Sequence, residues 1–540
     1  MSGIPTSPID LSHHLSELSK AREPSAIKRL MPYFGIQGMI SLGGGMPAPA
    51  LFPFDSLTSN SPKPDRFPLS SAAQPSSMAS PWSWFWNLFS RSKTDTFDFL
   101  VPKWASDATG IQLSTALQYS GATGLPQLAR FVQDFSRVAY QPAYEGFATV
   151  ISTGCTDAWA KVVLTFCERG DAILCEEFAY PSALATSAPY GITTVPIALD
   201  GVGLRADALE EVLENWDEAK RGAKRPHVMY LVPVGQNPSG ATMGAARKKA
   251  IYEVCCRYDV LIVEDDPYYQ LQLGEWSSGL AETPSDKAVS VDEHIASLVP
   301  SFLKFDREGR VIRLDSFSKC IAPGSRLGWV TCNAVFAERI LRASEVTTNA
   351  PCGFSQALIT ELVANQWRLD GFSRWLQGLR AQYRARRDAM CDCFADEFDL
   401  RREDGVGLVC RSAGYVGYPK RRHSKGEKGR SDVALCSFVP PTSGMFVWVR
   451  VHFENHPDYA RLSSDSQVGN PEEVLLDRVF TRCAEKLVLL CPGSMFRPLH
   501  ASSEPEHVGY FRLSYSMATR DELARAIATF AEVLRSEFRV

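Results

Sequence analysis

The chain has 540 residues, 45% of them hydrophobic and 22% charged. That is the make-up of a globular protein with material for large cores, needing neither disulfides nor metals to hold it together. Its 57 basic residues fall short of its 61 acidic ones, giving a net charge of −4, so the basic footprint of a general nucleic-acid binder is missing.

From the N-terminus, MSGIPTSPIDLSHHLSELSK has no basic stretch running into an apolar one, and the chain ends SEFRV rather than SKL. Neither a secretory leader nor a peroxisomal address is expected, and the reading is a cytoplasmic protein. No apolar run is long enough for a membrane-spanning helix. The 14 cysteines are scattered without a CxxC pair, which predicts reduced, mostly buried thiols. The 9 histidines offer no clustered ligand set, so no metal is expected.

Residues 57–81 are rich in Ser and Pro and read as an extended or mobile surface segment. WSWFWNLF (82–89) follows. It is too aromatic to stay solvated and is expected to dock on the protein surface or at a subunit interface, a membrane or partner site being the sharper alternative. Short apolar runs then predict buried strands: ATVIST (148–153), DAILCEE (171–177), HVMYLVP (227–233), VLIVEDD (260–266), VIRLDS (311–316) and LGWVTC (327–332). Helical stretches such as 156–170 and 244–259 separate them, the pattern of a mainly parallel, helix-covered sheet. A long helical region over about 354–397 follows. The basic segment 418–431 reads as a solvated hairpin or loop rather than a nucleic-acid patch. FVWVRV, LVLLCPG and GYFRLSYS are expected as strands of a smaller α+β domain.

In helix-covered parallel sheets, ligands bind beyond the C-terminal strand ends. ATVIST ends in Gly154-Cys155-Thr156-Asp157 and enters a helix, a turn that offers free N–H groups to an anion or merely caps the helix. HVMYLVPVGQNPSG brings Asn237-Pro238 before a glycine turn. VLIVEDD ends in two acids, and a buried carboxylate is costly without a cation, whether that cation is a ligand or a structural partner. VIRLDSFSKCIAPGSRLGWV carries Ser316-x-Ser318-Lys319 and then Pro323-Gly324-x-Arg326-x-Gly328. A strand-end lysine can act as a nucleophile when its surroundings lower its pKa, and two serines with an arginine suit a phosphate dianion. Lysine, phosphate cup and strand-end acid together are what pyridoxal phosphate requires.

The chain resembles the class I/II pyridoxal-phosphate-dependent aminotransferases. The lysine signature S-x-S-K-x-x-x-P-G-x-R-x-G carries the resemblance, with ISLGGGMPAPALFP (40–53), LQYSGATGLPQLARF (117–131), EEFAYPSAL (176–184), PVGQNPSG (233–240), VEDDPYYQL (263–271), SGMFVWV (443–449), LLCPGSMF (489–496) and FRLSYS (511–516) in order. EDDPYY, ISLGGGMPAP and the Gly-Cys-Thr-Asp turn point to the α-aminoadipate/kynurenine and fungal aromatic aminotransferases, and the two long insertions favour the fungal aromatic branch. The resemblance implies an α/β protein of fold type I, aspartate aminotransferase-like. A large domain over 51–370 would hold a mixed, mainly parallel seven-stranded sheet, with a smaller α+β domain over 371–540 and an arm, 1–50, contributing to it.

It also implies roles. Lys319 would bind the cofactor covalently and later move a proton. Asp265, three residues before Tyr268, would pair with the pyridine nitrogen. Asn237 and Tyr268 would hydrogen-bond the cofactor's phenolic oxygen, and Tyr180 would stack on its ring. Ser316, Ser318 and Arg326, with the backbone of Cys155 and Thr156, would cradle the phosphate. Tyr119 would reach the neighbouring subunit's phosphate in an obligatory homodimer with active sites at the subunit interface. Arg512 would bind the substrate α-carboxylate, with Gly45 near the substrate, where a side chain would collide. Arg22 is a second cation of undecided contact. The implied reaction is ping-pong transfer of an amino group from an aromatic amino acid to a 2-oxo acid, with 2-oxoglutarate expected. 2-Aminoadipate or kynurenine are alternative donors; a β-lyase or a 1-aminocyclopropane-carboxylate synthase-like enzyme is the alternative on the same cofactor. A transcription regulator is disfavoured, because too few residues precede position 40 for a DNA-binding helix-turn-helix.

Overall fold

The structure, a computed structural model, describes residues 7–24, 33, 36, 38–40, 42–43, 45–69, 95–107, 110–276, 287–403, 413–420, 432–498 and 507–540. The chain forms two compact units. One comprises Met1–Asp171, Val260–Pro267 and Thr283–Leu379; the other Ala172–Asp259, Tyr268–Glu282 and Arg380–Val540.

Seven strands make up the mainly parallel sheet expected from the sequence. The first unit holds four, in the order Phe147–Ser152, Gly328–Asn333, Val311–Ser316 and Leu261–Asp265. Gly328–Asn333 runs antiparallel to both of its neighbours, and Val311–Ser316 lies parallel to Leu261–Asp265 with Leu314 beside Asp265. Every residue of the 261–265 and 311–316 strands is buried. That explains why both read as continuous apolar runs: helices cover both faces of such a sheet. The second unit holds Val228–Leu231, Ala172–Glu176 and Thr193–Ile197, all parallel. Thr193–Ile197 is absent from the strands read off the sequence. Its Pro196 cannot donate to a ladder, and the strand lies at the edge of the sheet, where a proline is tolerated.

The second unit also carries a six-stranded antiparallel sheet in the order Phe398–Glu403, Gly414–Pro419, Cys436–Phe438, Phe446–Val451, Gly509–Ser514 and Cys491–Pro492. FVWVRV and GYFRLSYS thus form strands where expected. LVLLCPG largely does not. Leu487 has a left-handed backbone (φ 64°), Leu487 and Leu489 are exposed, and only Cys491–Pro492 joins the sheet. An apolar run is a strand signal only where something covers it. The helical region 354–397 is helix over Gly353–Thr360 and Arg368–Glu397, with a π-helical stretch, Glu361–Gln366, between them.

The Ser/Pro-rich segment also differs at its start from the expected mobile strip. Ser56–Pro62 is a strand paired antiparallel with Thr96–Pro102. Ser56, Thr58 and Asn60 take the exposed side, while Ser61 is buried, as are Val101 and Phe99 across the ladder. The rest of the segment from residue 70, and WSWFWNLF, lie outside the described residues. Of the basic segment, Tyr418 and Pro419 close the 414–419 strand, opposite Asp399 and Phe398; residues 421–431 lie outside the described residues. Among the described residues no helix is long and apolar enough to cross a membrane.

Candidate active site

In the first unit the strand Phe147–Ser152 turns at Gly154 into the helix Cys155–Phe166. Gly154 has φ +105°, and a Cβ there would stand 2.7 Å from Arg326 Nη2. Glycine is therefore required both by the backbone and by the closeness of the guanidinium. The helix has no side-chain cap, so its first-turn N–H groups and its dipole are available to an anion. The guanidinium is fixed by donating from Nη2 to Thr153 O at 2.9 Å and from Nη1 to Pro323 O at 3.1 Å and Ser318 Oγ at 3.3 Å. Ser316 Oγ donates to Ser318 Oγ at 2.7 Å and accepts from Ser318 N at 3.0 Å. Gly154, Ser316, Ser318 and Arg326 thus form one polar cup. Its donors, a guanidinium, two hydroxyls and a helix N-terminus, are those that fit a phosphate monoester.

Lys319 follows directly, half-buried in the turn after Val311–Ser316. That turn is pinned where Trp375 Nε1 donates to Cys320 O at 2.8 Å and Phe317 N to Leu327 O at 3.0 Å. The two strand-end acids divide as alternation requires. Asp266 accepts from Arg313 Nη1 at 3.0 Å, whereas Asp265 meets the Cys155 thiol. Burial and the adjacent Asp265 carboxylate push that thiol well above its ordinary range. Thr156 and Tyr119 are exposed, Tyr119 at 66%. Gly45 is exposed too, and no described atom lies within 4 Å of where its Cβ would stand. Arg22 accepts from Arg339 Nη1 through its carbonyl oxygen at 3.1 Å.

In the second unit Arg512 sits on Gly509–Ser514 beside Trp448 of the next strand. Its Nη1 donates to Asn237 Oδ1 at 2.7 Å. Its guanidinium carbon lies 4.3 Å from the Phe446 ring centre and 4.9 Å from that of Phe496. Its buried Nε has no hydrogen-bond partner among the described residues. A caged guanidinium with one arm fixed and a buried donor to spare is prepared for a carboxylate. Asn237 is itself held by its neighbour. Gln236 donates from Nε2 to Glu176 Oε2 at 3.0 Å and to Phe178 O at 2.6 Å, and accepts from Ser239 N at 2.7 Å. Tyr268 is buried, edge-on to Phe446 at 5.7 Å. Tyr180 is half-buried at the start of the helix Pro181–Ser187.

Within the first unit the structure brings together Ser316, Ser318 and Arg326 around Gly154, and Asp265 with Cys155. Within the second it brings Arg512 to Asn237, and Tyr268 to the Phe446 wall of Arg512. The reading from sequence missed that wall, Phe446 and Phe496, and the Glu176–Gln236 brace. The signals were a buried acid closing an otherwise apolar strand, DAILCE, and phenylalanines inside runs that read simply as core.

Residues 92–424 match the family model described as aminotransferase class I and II. The chain is 32% identical over 534 residues to an aromatic amino acid aminotransferase of Schizosaccharomyces pombe, covering 98% of this chain and 99% of that one. It is 34% identical over 508 residues to an L-tyrosine:2-oxoglutarate aminotransferase of Serpula lacrymans, covering 92% and 85%. The crystal structure of aminotransferase Aro8 from Candida albicans superposes with a TM-score of 0.82 at 33% identity, over 99% of this chain and 100% of that one.

Proposed function

The chain belongs to the class I and II aminotransferases, and from that membership we propose that it moves the amino group of an aromatic amino acid to 2-oxoglutarate by a ping-pong reaction on pyridoxal phosphate. The observation that carries this reading is Arg512, bonded to Asn237, walled by two phenyl rings and left with a buried Nε that has no partner among the described residues. Relatives at 32% and 34% identity named for aromatic substrates support the donor class.

When bound, pyridoxal phosphate supplies an electron sink for negative charge developing at the substrate Cα. The chain's own groups do the rest. The Ser316, Ser318 and Arg326 cup and the N–H groups of Cys155 and Thr156 hold the phosphate, and Lys319 holds the cofactor covalently. Asp265 keeps a proton on the pyridine nitrogen, while Asp266, engaged by Arg313, does not. Asn237 accepts from Arg512 through its Oδ1, and its Nδ2, with the Tyr268 hydroxyl, would donate to the phenolic oxygen. Tyr180 stacks on the ring. Arg512 grips the α-carboxylate in a two-bond fork and so fixes which Cα substituent faces the ring. The Lys319 amine would be the group that takes the proton from the substrate Cα and gives it back. Gly45 leaves room beside the substrate. A second copy of the chain supplies Tyr119 to the phosphate, and we read the dimer as cytoplasmic; that none of the described cysteines forms a disulfide is in keeping with a reducing compartment.

The test is a panel of first half-reactions. The holoenzyme is mixed separately with tyrosine, phenylalanine, tryptophan, 2-aminoadipate and kynurenine, and loss of the visible band is followed. Aromatic amino acids should react fastest, 2-oxoglutarate should restore the band, and Lys319→Ala should do neither. Preference for 2-aminoadipate or kynurenine would overturn the donor assignment. Failure of any 2-oxo acid to restore the band would overturn amino transfer.

A further inference from the structure

Behind Asp265 lies a buried charge cluster that the reaction above does not touch. Successive strand residues face opposite sides of a sheet, and Arg313 is the register partner of Glu264 as Leu314 is of Asp265. Glu264, Asp266, Arg313 and Asp315 therefore share one face, and Asp265 and Ser316 the other. Arg313, fully buried, reaches Asp266 Oδ2 at 3.0 Å and Glu264 Oε1 at 3.2 Å through Nη1. Its Nε and Nη2 hold the two oxygens of Asp315 at 3.0 Å each. Its guanidinium lies 3.8 Å from the Tyr140 ring centre, and the Tyr140 hydroxyl donates to Asp315 Oδ1 at 2.8 Å. Glu264 also accepts from Ser301 Oγ and, at 3.1 Å, from Phe302 N.

One cation thus faces three carboxylates in the interior of the unit. Such an arrangement is expensive. An apolar set of the same volume is often as stable or more so, and charges this deep are weakly screened. Burial shows its cost at Asp315, whose carboxyl is pushed up to about 6 despite Arg313 and Tyr140. Buried ion clusters often return little net stability, so the position of this one, one residue to either side of Asp265, invites a role in the reaction.

Resting on the assignment of Asp265 to the pyridine nitrogen, we propose that the Arg313 cluster is a positioning assembly. By clamping Glu264 and Asp266 to one face it turns the Asp265 carboxylate to the other, and its excess negative charge favours the protonated, cationic form of the cofactor that Asp265 holds. Among the described residues, the charged and titratable groups around Asp265 and the cluster include Glu264, Asp266, Arg313, Asp315 and Tyr140 through the sheet, Cys155 beside Asp265, and Cys320 near Asp315.

The experiment uses Asp266→Asn, Asp315→Asn and Tyr140→Phe as cofactor-loaded enzymes. Borohydride trapping followed by peptide mapping first establishes in the wild type that the cofactor is on Lys319; trapping elsewhere would sink the active-site reading itself, whatever the variants do. The visible absorption of the lysine-bound cofactor is then titrated with pH. Loss of a nearby negative charge should move the midpoint down by roughly half a pH unit or more in each Asn variant, a factor of about three in the protonation equilibrium. The Tyr140→Phe midpoint should move the same way by less, since that change only weakens the ionised form of Asp315. The donor half-reaction should slow with the substrate dissociation constant unchanged. Tyr140→Phe keeps the ring and the volume, so it decides the matter should an Asn variant fail to fold. Wild-type midpoints and half-reaction rates in the folded, loaded variants would show the cluster to be structural only and overturn the proposal.

Discussion

In the proposed reaction Arg512 is asked to serve two substrates that share little beyond an α-carboxylate and the carbon next to it. Its surroundings suit that duty. Asn237 fixes one arm at 2.7 Å, Phe446 and Phe496 fix the plane, and Nε has no partner among the described residues. A planar fork makes two parallel bonds to a carboxylate, and an ammonium cannot reproduce them. Arg512→Lys should therefore keep the charge and still fail. Truncating one partner of a buried charge pair costs about 2–5 kcal/mol, or roughly 30-fold to several thousand-fold in kcat/KM. The loss should fall on the amino donor and the oxo-acid acceptor alike, as measured in the two half-reactions separately. Damage confined to one of them would mean that a different cation, with Arg22 the first to test, binds the other substrate.

The C-terminal helix Arg520–Phe538 shows how an element is secured at both ends. Thr519 and Glu522 close a capping box at its start. At its other end the buried Glu537 meets Arg478 at 3.2 Å, Arg482 at 2.5 Å and His456 Nε2 at 3.3 Å. Burial lowers the His456 pKa in spite of Glu537, with the Arg478 charge adding to the effect. The folded state therefore prefers the neutral ring. The stability this gives is complete above the unfolded value of about 6.5 and is lost as pH falls through the lower folded value. His456→Gln, which cannot titrate, should show a flatter fall in urea midpoint between pH 7 and pH 5 than the wild type. An equal fall in both would assign the acid sensitivity to other groups.

Elements also show what was legible in the sequence. The buried strands at 261–265 and 311–316 announced themselves because a sheet covered on both faces leaves no polar alternation to confuse the pattern. Ser56–Pro62 did not, because a polar strand of a two-stranded ladder looks like a linker, and 487–490 misled, because Leu487 and Leu489 there are left uncovered. In the site, the groups to which the proposed reaction assigns chemistry were readable from strand-end positions and ordered motifs. The groups that aim them were not. Gln236, Phe446 and Arg313 act through long-range contacts, and nothing local separates a phenylalanine that walls an arginine from one that fills a core.

At the scale of the whole molecule, the proposed second copy can be tested through Tyr119. Tyr119 is exposed at 66%, and Leu51 and Trp104, on segments bonded to its own, are exposed at 82% and 57%. Their backbones are tied together where Gln118 Nε2 donates to Pro47 O at 2.7 Å and Lys103 Nζ to Phe52 O at 2.8 Å. Exposed large side chains of this kind suit an association surface, and in the proposed two-fold dimer the same patch of each copy would meet its counterpart. If Tyr119 acts on the partner's phosphate, Tyr119→Ala and Lys319→Ala should each be impaired as homodimers yet complement when mixed. In the hybrid, one site combines Lys319 of the first variant with Tyr119 of the second and is intact, while the other site lacks both. Random pairing makes half the dimers hybrid, so activity should return to roughly a quarter of the wild-type value per site. It should do so only under conditions that let subunits exchange. Tyr119 acting within its own chain would leave every hybrid site with one lesion, and mixing would then restore nothing.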